Sequence, residues 1–238
     1  GCTVTKTGGA INGFFMTING GRLVLKDSVG GGALVADHSS HGYGIQLKSN
    51  SVLTVEGGKI QSTQEAIDIY STAQNVSVNI SGGEVVSTAD SVLGVRGNEK
   101  IVVNITGGTL TSIGRTGVFI SSSTTPSPIQ FTMTGGTLNH SSGMSGAIQA
   151  SKGSVITIGR TAKINSESSY AIQVQENTVV NVKGGTLSSR SAAISAEGTS
   201  SVSISNGSIS SVRGSAIKAE ETANITISGG SVSGGSNR

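Results

Sequence analysis

Thirteen carboxylates, sixteen cations and three histidines are scattered through 238 residues, and few of them fall close enough to act together. Glu197 and Glu220 stand 23 residues apart, with Glu221 beside the second. If the chain returns on itself at that interval, the two carboxylates meet at about 5 Å, the separation of a retaining glycosidase pair. The same pair suits a hard cation. Neither use has a visible partner residue, and equivalent positions of a repeat drift into such pairs without any chemistry. The segment Asp37-His38-Ser39-Ser40-His41 holds the only close histidines. Its residue types match zinc ligands, but with no additional Cys or His it reads as a polar turn. His140 stands alone in NHSSGMSG, and no nucleophile-elbow motif supports a Ser-His-Asp arrangement. Asp68 and Arg96 are expected to form an exposed ion pair on neighbouring coils. No catalytic residue, no metal ligand and no cofactor is assigned.

Whether such residues meet depends on the elements that carry them, and those repeat. A diglycine recurs at Gly20-Gly21, Gly57-Gly58, Gly82-Gly83, Gly107-Gly108, Gly135-Gly136, Gly184-Gly185 and Gly229-Gly230, with Thr161-Ala162 and Asn206-Gly207 filling degenerate slots. After the long first interval the steps run from 22 to 28 residues. A second landmark, a small residue before an aliphatic one, reads Gly44-Ile45, Ala66-Ile67, Gly94-Val95, Gly117-Val118, Ala147-Ile148, Ala171-Ile172, Ala193-Ile194 and Ala216-Ile217. Between landmarks, Val, Ile and Leu alternate with Ser, Thr and Asn, the period of strands with one buried face. A fixed period in the twenties marks a solenoid whose coils cannot bury their apolar faces singly. The leucine pattern and helical segment of leucine-rich repeats are absent. The sequence therefore predicts an all-β, single-stranded parallel β-helix of about eight coils, with equivalent strands about 4.8 Å apart and a rod of about 40 Å.

Function in such a scaffold is read from outward columns. Aligned on the diglycine, Thr54, Asn79, Asn104, Thr132, Asn181, Ser203 and Thr226 form one polar ladder, a source of solubility and cross-strand hydrogen bonds. Aligned on the second landmark, Gln46, Asp68, Arg96, Phe119, Gln149, Gln173, Ser195 and Lys218 form a more varied column. Two residues farther along come Lys48, Tyr70, Asn98, Ser121, Ser151, Gln175, Glu197 and Glu220. Planar amides, a guanidinium and aromatic rings suit a sugar polymer, so Tyr70, Arg96, Phe119, Gln149, Gln173 and Gln175 are the candidate ligand-binding residues. A mixed, solvated sheet surface is the alternative. Two lengthened stretches, SSSTTPSPI (121–129) and NHSSGMSG (139–146), are expected to protrude from one side and to flank a groove near Phe119.

Composition narrows the partners. Glycine is abundant at 36 residues, aromatics make up 3% and the net charge is only +3. Cations are dispersed, without the basic stripe and interleaved aromatics of a nucleic-acid surface. No apolar run reaches the ~20 residues that span a bilayer. Cys2 alone excludes an internal disulfide and marks a possible lipoprotein acylation site. The whole of 1–238 reads as one β-helix domain. In it, 1–44, with Phe14, Phe15 and Met16, forms an N-terminal cap and irregular first coil, and 45–238 forms regular coils. The terminal SGGSNR reads as a linker toward further domains of the same chain.

The units GYGIQLKSNSVLTVEGGKIQS and GSAIKAEETANITISGGSVS resemble coils of right-handed parallel β-helix proteins of the pectin-lyase-like class. The likeness is to bacterial surface β-helices, including non-catalytic carbohydrate-binding ones, and covers residues 45–238. It implies a secreted or cell-surface protein with a polysaccharide or host glycan as partner, acting as an adhesin or carbohydrate-binding module. A structural stalk and an atypical polysaccharide lyase or hydrolase are the other readings. Enzymes of this class need clustered aspartates or acidic calcium ligands beside a basic residue. This chain has only Asp27, Asp37, Asp68 and Asp90, dispersed in sequence.

Overall fold

Alternation sends every second side chain inward. In Gln74–Ile80, Val76, Val78 and Ile80 are buried while Ser77 and Asn79 remain half-exposed. One such strand cannot shield its apolar side, so it pairs in parallel with Ser51–Val55 before it and Glu99–Ile105 after it. The computed structural model, which describes residues 3–6, 13–37, 42–122 and 129–235, extends this pairing into a parallel β-solenoid of about eight coils.

Each coil contributes to three walls. Wall I is a nine-stranded sheet running from Gly13–Ile18 and Gly42–Leu47 through three-residue strands such as Ile67–Ile69, Leu93–Val95, Val118–Ile120 and Ile148–Ala150 to Ile217–Ala219. Wall II runs from Gly21–Leu25 to Asn224–Ile227, and wall III from Thr3–Lys6 to Ser231–Ser233. Val179–Ser189 and Ser201–Ser211 continue through the corner between walls II and III, joining them into one 17-stranded sheet. Gly13–Ile18, Gly21–Leu25 and Ala33–Ala36 lie on the same walls, paired with the coil that follows.

The inward side chains form ladders along the axis. Ile45, Ile67, Leu93, Val118, Ile148, Ile172 and Ile194 line wall I, and Leu53, Val78, Val103, Phe131, Ile156, Val180 and Val202 line wall II, all within one continuous buried cluster. Full burial of each such aliphatic side chain favours folding by about 1.5–3 kcal/mol. A single core of this kind makes the coils stabilise one another in series.

The diglycine corner between walls II and III has a steric cause. A Cβ on Gly107 would sit 2.2 Å from the Ser81 carbonyl oxygen of the preceding coil. Gly108 follows at φ +79°, a conformation that side chains disfavour. Backbone packs on backbone there, and only hydrogen atoms fit between.

A third ladder, inside wall III, has no counterpart in the alternation of apolar residues. Ser62, Ser87, Ser112, His140, Ser166, Ser189 and Ser211 stand in register at the last position of the wall III strands, and all are buried. The hydroxyls donate to carbonyls of the following corner, as Ser62 does to Gln64 at 2.6 Å and Ser112 does to Thr116 at 2.9 Å. These serines satisfy backbone acceptors that the turn would leave buried and unpaired, and Ser166 instead accepts from the Ser169 amide at 3.3 Å.

The two lengthened stretches do not share a side. One connects wall I to wall II after Val118–Ile120; the other connects wall III to wall I after Thr137–His140. They leave from opposite edges of wall I, because the insertions fall at different corners of their coils. Cys2, His38, His41 and residues 123–128 lie outside the described residues.

Candidate functional site

Wall I strands are so short that each shows one outward side chain at its centre and one just past its end. The central column runs Gln46, Asp68, Gly94, Phe119, Gln149, Gln173, Ser195 and Lys218. This corrects the sequence register at one coil: Gly94, not Arg96, stands between Asp68 and Phe119. Gly94-Val95 imitates the small-aliphatic landmark, but the corner space is filled by Val92, and Leu93 is the inward residue opposite Ile67 and Val118. Arg96 accordingly follows the strand end, level with Tyr70, and not in the column of Gln149.

The displacement makes a cluster. Arg96 folds back across Gly94, where a Cβ would lie 2.6 Å from Arg96 Nη1 and 2.7 Å from Glu65 Oε1. Its Nη1 donates to Asp68 Oδ1 at 2.6 Å and to Glu65 Oε2 at 3.0 Å, and its Nη2 donates to Glu65 Oε1. Gln46 Nε2 adds a hydrogen bond to Asp68 Oδ2 at 3.1 Å. The expected exposed pair is therefore a largely buried triad: the Glu65 and Asp68 side chains are 6% and 7% exposed and that of Arg96 is 33% exposed. Burial raises the pKa of both carboxyls, against the opposing pull of Arg96. Burial also works against the charge of Arg96, but the Glu65 hydrogen bond and the two carboxylates hold its pKa above the ordinary value. Glu65 carried no sequence signal, since it sits in the corner before the strand and reaches Arg96 across 31 positions.

The guanidinium also lies over Phe119, with Cζ 5.3 Å from the ring centroid, a cation–π geometry. Beside Phe119 the strand register places Gln149 and then Gln173, both half-exposed. Among the described residues, neither amide side chain makes a hydrogen bond within the protein. Gln175 belongs to the second column and donates to Glu197 at 2.6 Å. Tyr70, 43% exposed, stands apart, with Lys48 Nζ 5.7 Å from its ring centroid. The structure thus brings Arg96, Phe119, Gln149 and Gln173 together and leaves Tyr70 and Gln175 on the margin.

Where wall I meets the corner from wall III, a cleft of about 120 Å³ opens between Asp90, Arg96, Arg115, Phe119, Ser145 and Gln149. This volume is well below the ~300 Å³ at which cavities enclose whole small molecules. Its size leaves room for a single substituent. Glu197 and Glu220 do follow one another in register, but the first accepts from Gln175 and the second pairs with Lys218 at 2.7 Å. Among the described residues no group of three or more His, Cys, Asp or Glu is arranged to hold a metal ion. Among the described residues no helix is long and apolar enough to cross a membrane.

Comparison with protein families, with curated proteins and with solved structures returned no match to this chain.

Proposed function

We propose that this chain is a non-catalytic carbohydrate-binding β-helix of the pectin-lyase-like class, acting at a bacterial surface or after secretion, with wall I as its glycan face. The observation that carries the proposal is the row of Arg96 over Phe119 followed by the unpartnered amides of Gln149 and Gln173. A polysaccharide strand laid along the axis would meet a new coil about every 4.8 Å. The Phe119 ring offers an apolar surface to a sugar face. Each glutamine supplies both a donor and an acceptor to hydroxyls, and the small cleft takes one substituent beside Arg115. Arg96 is held by Glu65 and Asp68 before any ligand arrives, so little side-chain entropy is lost on binding.

A second reading, a structural stalk, is favoured by the uniform outer ladder of wall II. Thr54, Asn79, Asn104, Thr132, Thr157, Asn181, Ser203 and Thr226 stand in register there, and Asn104 donates to Asn79 at 3.1 Å. A glycan array with plant, mucin and bacterial polymers separates the two. The glycan reading expects saturable binding that Phe119→Ala with Gln149→Ala abolishes, without unsaturated or reducing-end products. Binding to no polymer favours the stalk, and product formation establishes the lyase or hydrolase.

A further inference from the structure

A larger groove lies on later coils, at the corner where wall III turns toward wall I. It has a volume of about 540 Å³ and is lined by Asn165, Glu167, Ser188, Arg190, Val212 and Arg213 among others. One side is the outward column of wall III, in which Asn165 and Ser188 are register neighbours. The other side is the corner itself. Arg190 and Arg213 sit there on successive coils, tied by a hydrogen bond from the Arg213 amide to the Arg190 carbonyl at 3.0 Å. Both side chains are exposed, and among the described residues neither guanidinium has a carboxylate or hydrogen-bond partner. The contrast with Arg96, which is fully engaged, is direct.

We infer that this groove is a second carbohydrate site, specific for acidic sugars, with Arg190 and Arg213 gripping a carboxylate or sulfate ester. Two like charges one coil apart repel, and an anion between them relieves that repulsion. The guanidinium fork matches a planar carboxylate or a sulfate through paired hydrogen bonds. The remaining lining favours a sugar over a nucleic-acid backbone. Glu167 accepts hydrogen bonds from sugar hydroxyls, and with one carboxylate against two guanidiniums the groove suits a single anionic group better than a run of phosphates. Asn165 Nδ2 donates to Asn139 Oδ1 at 3.0 Å, and its own amide oxygen is an acceptor by type. Val212, 65% exposed, offers an apolar patch to a ring face. The volume falls within the ~300–1,000 Å³ of cavities that enclose small ligands, unlike the cleft on wall I. The inference does not rest on wall I, since no lining residue is shared.

The test is calorimetric titration and amide-resolved NMR of the whole chain with four probes. These are an oligogalacturonate hexasaccharide, a sulfated hexasaccharide, a neutral hexasaccharide and a thymidine oligonucleotide, with inorganic sulfate as the bare anion. The expected result is binding of an acidic hexasaccharide with shifts centred on Asn165, Arg190 and Arg213, and no shift at those three residues with the neutral one. The carboxylate and sulfate arms then tell the two anion sources apart. R190Q with R213Q should weaken that binding at least about tenfold, while Thr132→Ala on wall II leaves it unchanged. Both arginines are exposed, so the double variant keeps its fold, as circular dichroism will show. Equal affinity in R190Q/R213Q, preference for the oligonucleotide, or response to inorganic sulfate only would each overturn the inference.

Discussion

Replacing Arg96 with methionine asks whether the wall I triad is organised as described. The variant keeps the side-chain stem but removes three hydrogen bonds and the cation paired with Glu65 and Asp68. Breaking a buried ion pair from one side costs about 3–5 kcal/mol, because the remaining charge is stranded. Arg96 is one-third exposed, so water can enter the vacated space and the loss should sit near the lower end, about 3 kcal/mol. Protonation offers the stranded carboxyls an escape. Their folded pKa values are already raised, so stability assigned to them is complete below the unfolded values and declines as pH rises through the folded ones. Without Arg96 this window widens upward, and the penalty at about pH 4 should fall to about 1 kcal/mol, that of lost neutral hydrogen bonds. Urea unfolding followed by circular dichroism at the two pH values measures both figures. Hydrogen exchange at Leu93–Val95 guards against partial unfolding, to which solenoids are prone. A destabilisation equal at both pH values, or negligible at neutral pH, would refute the reasoning.

Two further substitutions probe the scaffold. His140 interrupts the buried serine ladder; its Nε2 has no hydrogen-bond partner, and burial lowers its pKa against the pull of the Arg115, Gly114 and Ser142 backbone. Its contribution is therefore present above the ordinary 6.5 and lost as pH falls through the depressed folded value, so His140→Ser should flatten the acid side of a stability–pH curve measured by urea melts. An unchanged acid slope would mean that His140 is not the group responsible. Gly107→Ala forces a Cβ against the Ser81 carbonyl and should destabilise by about 1–3 kcal/mol, whereas Gly21→Ala, with nothing within 4 Å, should be tolerated; thermal melts of the pair decide the point.

The solenoid was legible in the sequence because its two strongest constraints are local. Period-two alternation gives Val76, Val78 and Ile80 inward, and the Gly107-Gly108 corner needs residues without side chains. What was not legible depends on contacts between coils. Gly94-Val95 satisfied the pattern of a strand entry, and only the buried Val92 shows which residue fills the corner. Glu65 joins Arg96 from the adjacent coil, a partnership that linear spacing does not signal. The serine ladder did leave a signal, a Ser following an aliphatic-x pair in most wall III strands, as in Ile60-Gln61-Ser62, Val85-Val86-Ser87 and Leu110-Thr111-Ser112. That signal is visible only when buried polarity is sought alongside apolar periodicity. Asn50 and Asn75 adopt positive φ where wall I passes into wall II, a turn that in those two coils has no glycine to announce it.

The central claim is that wall I is the glycan face, and amide-resolved NMR with the strongest glycan-array ligand tests it most directly. The account predicts shifts running along Arg96, Phe119, Gln149 and Gln173, lost in a variant carrying Phe119→Ala and Gln149→Ala, with wall II undisturbed. Shifts confined to the Thr54–Thr226 ladder of wall II, or undiminished binding in that variant, would contradict it.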